Sequence, residues 1–132
     1  MRSFIAVLLV VMVIAGCATR DEKARNNISN TWRISKVFQN GNDVTESYLE
    51  SRVDYRISFT RSGEFQENYA PFSGGEPISI SGNWVFSDGI NKITLTDANL
   101  TRVYQVDELS EDNFNVTDQG SSNGREIQFV PA

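Results

Sequence analysis

The stretch Asp54–Tyr69, DYRISFTRSGEFQENY, decides the fold. Its large apolar side chains fall on alternate residues, first Tyr55, Ile57 and Phe59, then Phe65 and Tyr69. Asp54, Arg56, Ser58 and Thr60 stand before, between and after the first three. An extended backbone turns successive side chains to opposite faces, so one side is dry and the other wet, whereas a helix would scatter both sets around its axis. RSGE, residues 61–64, carries the glycine and small polar residues of a tight turn. The stretch therefore reads as two antiparallel strands joined by a hairpin. Glu67 falls on the dry face between Phe65 and Tyr69, and a charge there is costly unless it is paired.

The same alternation extends in both directions. Trp32, Ile34 and Phe38 mark a strand before the hairpin; Ile78, Ile80, Trp84 and Phe86 mark one after it. Ile93 with Leu95, Leu100 with Tyr104 and Val106, Phe114 with Val116, and Ile127 with Phe129 complete eight. PFSGGEP, SDGIN, TDAN, LSEDN and QGSSNG separate them with turn-forming chemistry. Near Leu109 the alternation slips by one residue, which predicts a bulge at the end of the sixth strand. NDVTESYLESRV, residues 42–53, breaks the pattern. It predicts a short helix between strands one and two, with Asp43 as N-cap, Glu46 three residues on, and Val44, Tyr48 and Leu49 toward one side.

Eight short strands with tight connections predict an all-β domain, an antiparallel up-and-down barrel over residues 31–132, because closure removes edges that otherwise invite aggregation. A β-sandwich, crossing over at PFSGGEP, is the alternative.

The first residues have a different character. MRSFIAVLLVVMVIAG, residues 1–16, has one early arginine, an apolar run and two small residues, the layout of a secretory signal peptide and too short to span a bilayer. Cys17 follows, the chain's one cysteine. Ile14-Ala15-Gly16-Cys17 resembles the lipobox of bacterial lipoproteins. That resemblance implies cleavage before Cys17, a diacylglyceryl group on its thiol and a further palmitate-type acyl chain on the amino group that cleavage frees. Two or more chains anchor stably, so the expected partner is a membrane that the protein sits on without crossing. Ala18 is not the aspartate that retains such proteins at the inner membrane, which points to the outer membrane. Residues 17–30, polar and mixed in charge after the cysteine, read as a tether.

The chain contains no histidine, so neither a Ser-His or Cys-His couple nor a histidine metal site can be built. With no carboxylate pair at a telling spacing either, the reading is of a protein that is not an enzyme and needs no metal or cofactor. A formal net charge of -5 without a basic cluster argues against nucleic-acid binding.

Strand one opens NTWRIS, the hairpin reads SFTRSGEF, and SGNWVFSDG, VYQVDELSEDNFNV and EIQFV follow. In these segments the domain resembles the small lipocalin-like proteins of bacterial envelopes. Asn30 stands where lipocalins usually carry glycine two residues before the first-strand tryptophan, so the family's usual tight packing at that end does not follow from the resemblance. The resemblance implies a barrel with a helix over one mouth, able to hold a small hydrophobic molecule. The alternative is a barrel filled by its own bulky side chains, whose outer surface meets a protein or a polysaccharide. Lys36, Glu67 and Arg102 are the charged candidates for orienting a ligand, since each falls on an otherwise apolar face. Trp32, Tyr55, Trp84 and Tyr104 are the aromatic candidates for its walls.

Overall fold

The computed structural model describes residues 21–120 and 124–132, in which a single antiparallel sheet winds round and closes on itself. The segment expected to be a signal peptide, residues 1–16, and Cys17 lie outside the described residues. Eight strands make the barrel: β1 (Thr31–Gln39), β3 (Val53–Phe59), β4 (Glu64–Ala70), β5 (Ile78–Ser87), β6 (Lys92–Asp97), β7 (Thr101–Leu109), β8 (Phe114–Asp118) and β9 (Glu126–Pro131). Each pairs with the next, and β9 returns to β1 through pairs such as Ile34 with Phe129. That seam makes the architecture a barrel and not a sandwich. A two-residue arm, β2 (Asn42–Asp43), folds back on β1. The turn between them is Asn40-Gly41, both with positive φ of 52° and 76°, as the twist of a two-residue hairpin requires.

The ladders carry three register shifts, one of them between Val53 and Arg56 of β3, and two bear on the inward faces expected from the sequence. The one predicted near Leu109 lies between Val106 and Glu108 of β7. The other lies between Ile34 and Lys36, where the register with β9 shifts at Ser35. One extra residue turns the rest of the strand over. Trp32 and Ile34 point inward as expected, but beyond the bulge Val37 is the buried residue, Phe38 is half-buried and Lys36 faces solvent. The expected inward position of Lys36 is corrected accordingly.

The two ends of the barrel differ. At one end, helix α1 (residues 21–28) occupies part of the segment expected to be a tether. Ala24 and Ile28, one helical turn apart on the same face, are both buried, Ile28 completely. The folded domain thus includes residues from Asp21 onward. The Trp32 indole N–H donates to the Ile28 carbonyl at 3.0 Å. Arg61, in the hairpin loop, donates to the Asn26 side chain, and its own carbonyl accepts from Arg25 at 3.3 Å. Above the helix an aromatic plug fills the lumen. Phe59 meets Trp84 and Phe114 edge to face, and Trp32 tilts against Phe114 at 5.7 Å. Asn30 does not loosen this end. Its side chain accepts from the Thr31 N–H at 2.8 Å and its carbonyl from the Phe59 N–H at 3.1 Å.

At the other end lies α2 (Thr45–Leu49), the helix expected between strands one and two. Its N-cap residue is Val44, not Asp43, yet the Asp43 carboxylate accepts from both the backbone N–H and the hydroxyl of Thr45, at 3.0 and 2.5 Å. Tyr48 and Leu49 pack against the core.

Gly82 on β5 has a packing reason. A Cβ there would sit 2.1 Å from the Thr96 carbonyl oxygen of β6 and 2.8 Å from the Phe65 ring. Gly82→Ala must therefore displace backbone, and a loss of about 2 kcal/mol is expected from such overpacking. Urea unfolding measures it against Ser81→Ala, an exposed neighbour whose change should stay within about 0.5 kcal/mol. Equal effects at the two positions would contradict the close approach.

Candidate functional site

Above the plug the barrel is hollow. A cavity of about 270 Å³ occupies the half nearer α2. Phe59 and Phe114 form its floor, and Ile57, Ile93, Leu95, Ile127 and Phe129 supply much of its wall. Bulky residues fill the α1 half alone, so the fully packed interior weighed from the sequence is not what these side chains build.

A charged pair crosses this hollow. Glu67 of β4 and Arg102 of β7, three strands apart in the sheet, meet in a two-pronged contact with Nη1 to Oε2 at 3.2 Å and Nη2 to Oε1 at 3.1 Å. The Tyr55 hydroxyl donates to the same Oε2. Glu67, at 4 % exposure, is the one charged residue among the buried side chains of the described residues. Alternation placed both charges on dry faces, and the structure shows how each is satisfied: the guanidinium fork matches the carboxylate, and the phenol takes a remaining lone pair. The guanidinium also lies 5.7 Å from the Phe65 ring centre. Its buried Nε has no hydrogen-bond partner among the described residues.

The tyrosines around the pair resist ionisation. Burial, then the charge of Glu67 and the hydrogen bond to it, hold the Tyr55 phenol well above its ordinary range. Tyr104 is pushed up to about 12, mainly by burial and against the pull of Arg102. Tyr48 near the opening is raised as well, by burial that Arg52 and Arg125 partly offset. Burial works against the charge of Arg102, but Tyr104 and the hydrogen-bonded Glu67 outweigh it and hold the guanidinium above its usual range.

Of the residues singled out from the sequence, Glu67, Arg102, Tyr55 and Tyr104 line the cavity together. Lys36 is outside, turned away by the Ser35 bulge. Trp32 and Trp84 belong to the closed end, their indole N–H groups spent on the carbonyls of Ile28 and Thr60. Arg52, Arg125, Asp97 and Asp118 line the cavity and were not anticipated. The two arginines precede β3 and β9, where strand alternation cannot say which way a side chain turns. Among the described residues no group of three or more histidine, cysteine, aspartate or glutamate side chains could hold a metal ion.

A closed antiparallel barrel, plugged at one end and hollow at the other, is a cup of the lipocalin type. The family model for a lipocalin-like domain matches residues 28–116, well over half of the chain, and the chain belongs to that family. A lipocalin-like protein from Bacteroides uniformis shares the fold, with a TM-score of 0.61 over 80% of this chain and 99% of that one, at 14% identity. No curated protein matches the chain.

Two outcomes test this site. Arg102→Met strands a buried carboxylate and should cost about 3 kcal/mol or more, while Glu67→Met with Arg102→Met should cost less than either single change, since removing both charges removes the unpaired burial. Denaturant unfolding of the four proteins closes the cycle, and additive losses would contradict the pairing. The tyrosines give the second. Between about pH 10 and 12 the unfolded chain releases phenolic protons that Tyr104 retains when folded, so stability falls as pH rises through that window. Tyrosinate absorbance of the folded chain should show fewer than its four tyrosines ionised at about pH 11. Complete ionisation with the fold intact would contradict it.

Proposed function

We propose that this protein is an outer-membrane lipoprotein, anchored by acyl chains on Cys17, whose barrel holds a small hydrophobic molecule. The cavity above the plug carries the ligand reading. Its volume of about 270 Å³ equals that of about nine liquid waters, room for a ligand on the order of ten non-hydrogen atoms. Apolar walls with a few convergent polar groups are the usual composition of such sites.

The Ile14-Ala15-Gly16-Cys17 motif supports the anchor. Cys17 lies four residues before Asp21 in α1, and four residues reach no more than about 14 Å even when fully extended. In this proposal the closed end faces the anchoring bilayer and the opening faces away from it. The ligand then enters from the aqueous side.

A second reading, an interaction module acting through its outer surface, has one observation in its favour. Val85 and Val103, 53% and 36% exposed, flank Thr94 in one row across β5, β6 and β7.

Cell fractionation tests the anchor: Cys17→Ser should leave the membrane fraction, and its retention there would contradict lipidation. Native mass spectrometry of the detergent-extracted full chain tests the cargo. A small-molecule adduct is expected. A bare chain that instead carries a protein or polysaccharide partner, lost on Val85→Lys with Val103→Lys, would replace the cargo reading with the second one.

A further inference from the structure

The charges lining the cavity are unevenly matched. Glu67 and Arg102 satisfy each other in the middle of the lumen, but Arg52 and Arg125 have no carboxylate within 4.0 Å among the described residues. Both are half-buried at the open end. Their guanidinium carbons gather at one aromatic ring, 3.9 and 5.1 Å from the centre of Tyr48. Two like charges at one ring repel each other, and the face of that ring offsets only part of this. Arg52 spends Nη1 on the Tyr48 carbonyl and the Ser51 hydroxyl. Arg125 makes no side-chain hydrogen bond among the described residues, and its buried Nε lacks a partner.

The acids at this end are placed otherwise. Asp97 accepts from the backbone N–H groups of Asn99 and Leu100 at 2.8 and 3.0 Å, which fixes it to its own turn. Asp118, across the ladder from Arg125, turns toward the Gly120 N–H at 2.8 Å. Neither carboxylate forms a pair with the two arginines.

We propose that Arg52 and Arg125 form a clamp for the acidic head of an amphipathic anion whose apolar tail fills the cavity below. The inference rests on the ligand-holding reading and narrows it to one class of molecule. Guanidinium forks hold carboxylate or phosphate oxygens in a fixed geometry, and an anion set between the two groups relieves their mutual repulsion. The head stays at the opening, because deeper in the lumen Glu67 already occupies Arg102 and would repel it. Ile57, Leu95 and Ile127 receive the tail.

Calorimetric titration of the full chain with octanoate, octyl phosphate and octanol tests the clamp. At least one of the two anions should bind about tenfold or more tighter than octanol, and the better of them identifies the head. Arg52→Gln and Arg125→Gln should each weaken the anion about tenfold while leaving octanol unchanged, which shows that the barrel still folds; Arg125→Lys should recover part of the loss. Equal binding of the anions and octanol, or an equal loss of all three in the variants, would overturn the clamp while the cavity reading stands. Binding of none of the three would overturn both.

Discussion

The pairing of Glu67 with Arg102 inside the barrel is the constraint on which the hollow half depends. Eight strands enclose a space that side chains can just fill, and at the α1 end they do fill it. Toward α2 two charged residues from strands three places apart reach into the lumen and meet. Neither can be pressed against apolar neighbours without leaving its partner, so the side chains above the plug do not collapse to a solid core. The pair costs desolvation, and its two-pronged geometry with the Tyr55 hydroxyl offsets that cost. What remains is a small space with an apolar wall and one neutralised polar spot.

The closed end explains why that space does not run through to the α1 side. Residues 21–28 supply a helix whose two buried side chains cap the lumen, and Trp32 ties the helix to the first strand. The Arg61 loop reaches back to Asn26 and Arg25 from the other side. The cap belongs to the folded unit, so the proposed lipid anchor would leave directly from the closed end. The proposed clamp of Arg52 and Arg125 sits at the opposite end, on segments that enter β3 and β9.

Much of this was legible in the sequence because strand alternation is a strict physical signal. Tyr55, Ile57, Phe59 and Phe65 face inward as their spacing requires, and the slip before Leu109 is a real bulge. Glu67 and Arg102 stood out as charges on dry faces, but that they meet across three strands depends on closure, which no local pattern encodes. The bulge at Ser35 was invisible, since Phe38 offers a plausible inward residue in the unbroken register. Val37, the residue that is buried, looked like its polar-side neighbour. The α1 cap was hidden for another reason: one isoleucine and one alanine among charged residues resemble a linker until a lumen is present to receive them.

In the proposed function, the interior space nearer α2 is where the molecule receives its cargo. Amide and indole N–H signals in a nitrogen–proton correlation spectrum, followed while octanoate is added, test it most directly. Shifts should gather on Arg52, Leu95, Arg102 and Arg125, with the indole signals of Trp32 and Trp84 nearly still. Shifts confined to the outer row of Val85, Thr94 and Val103, or to the α1 end, would contradict it.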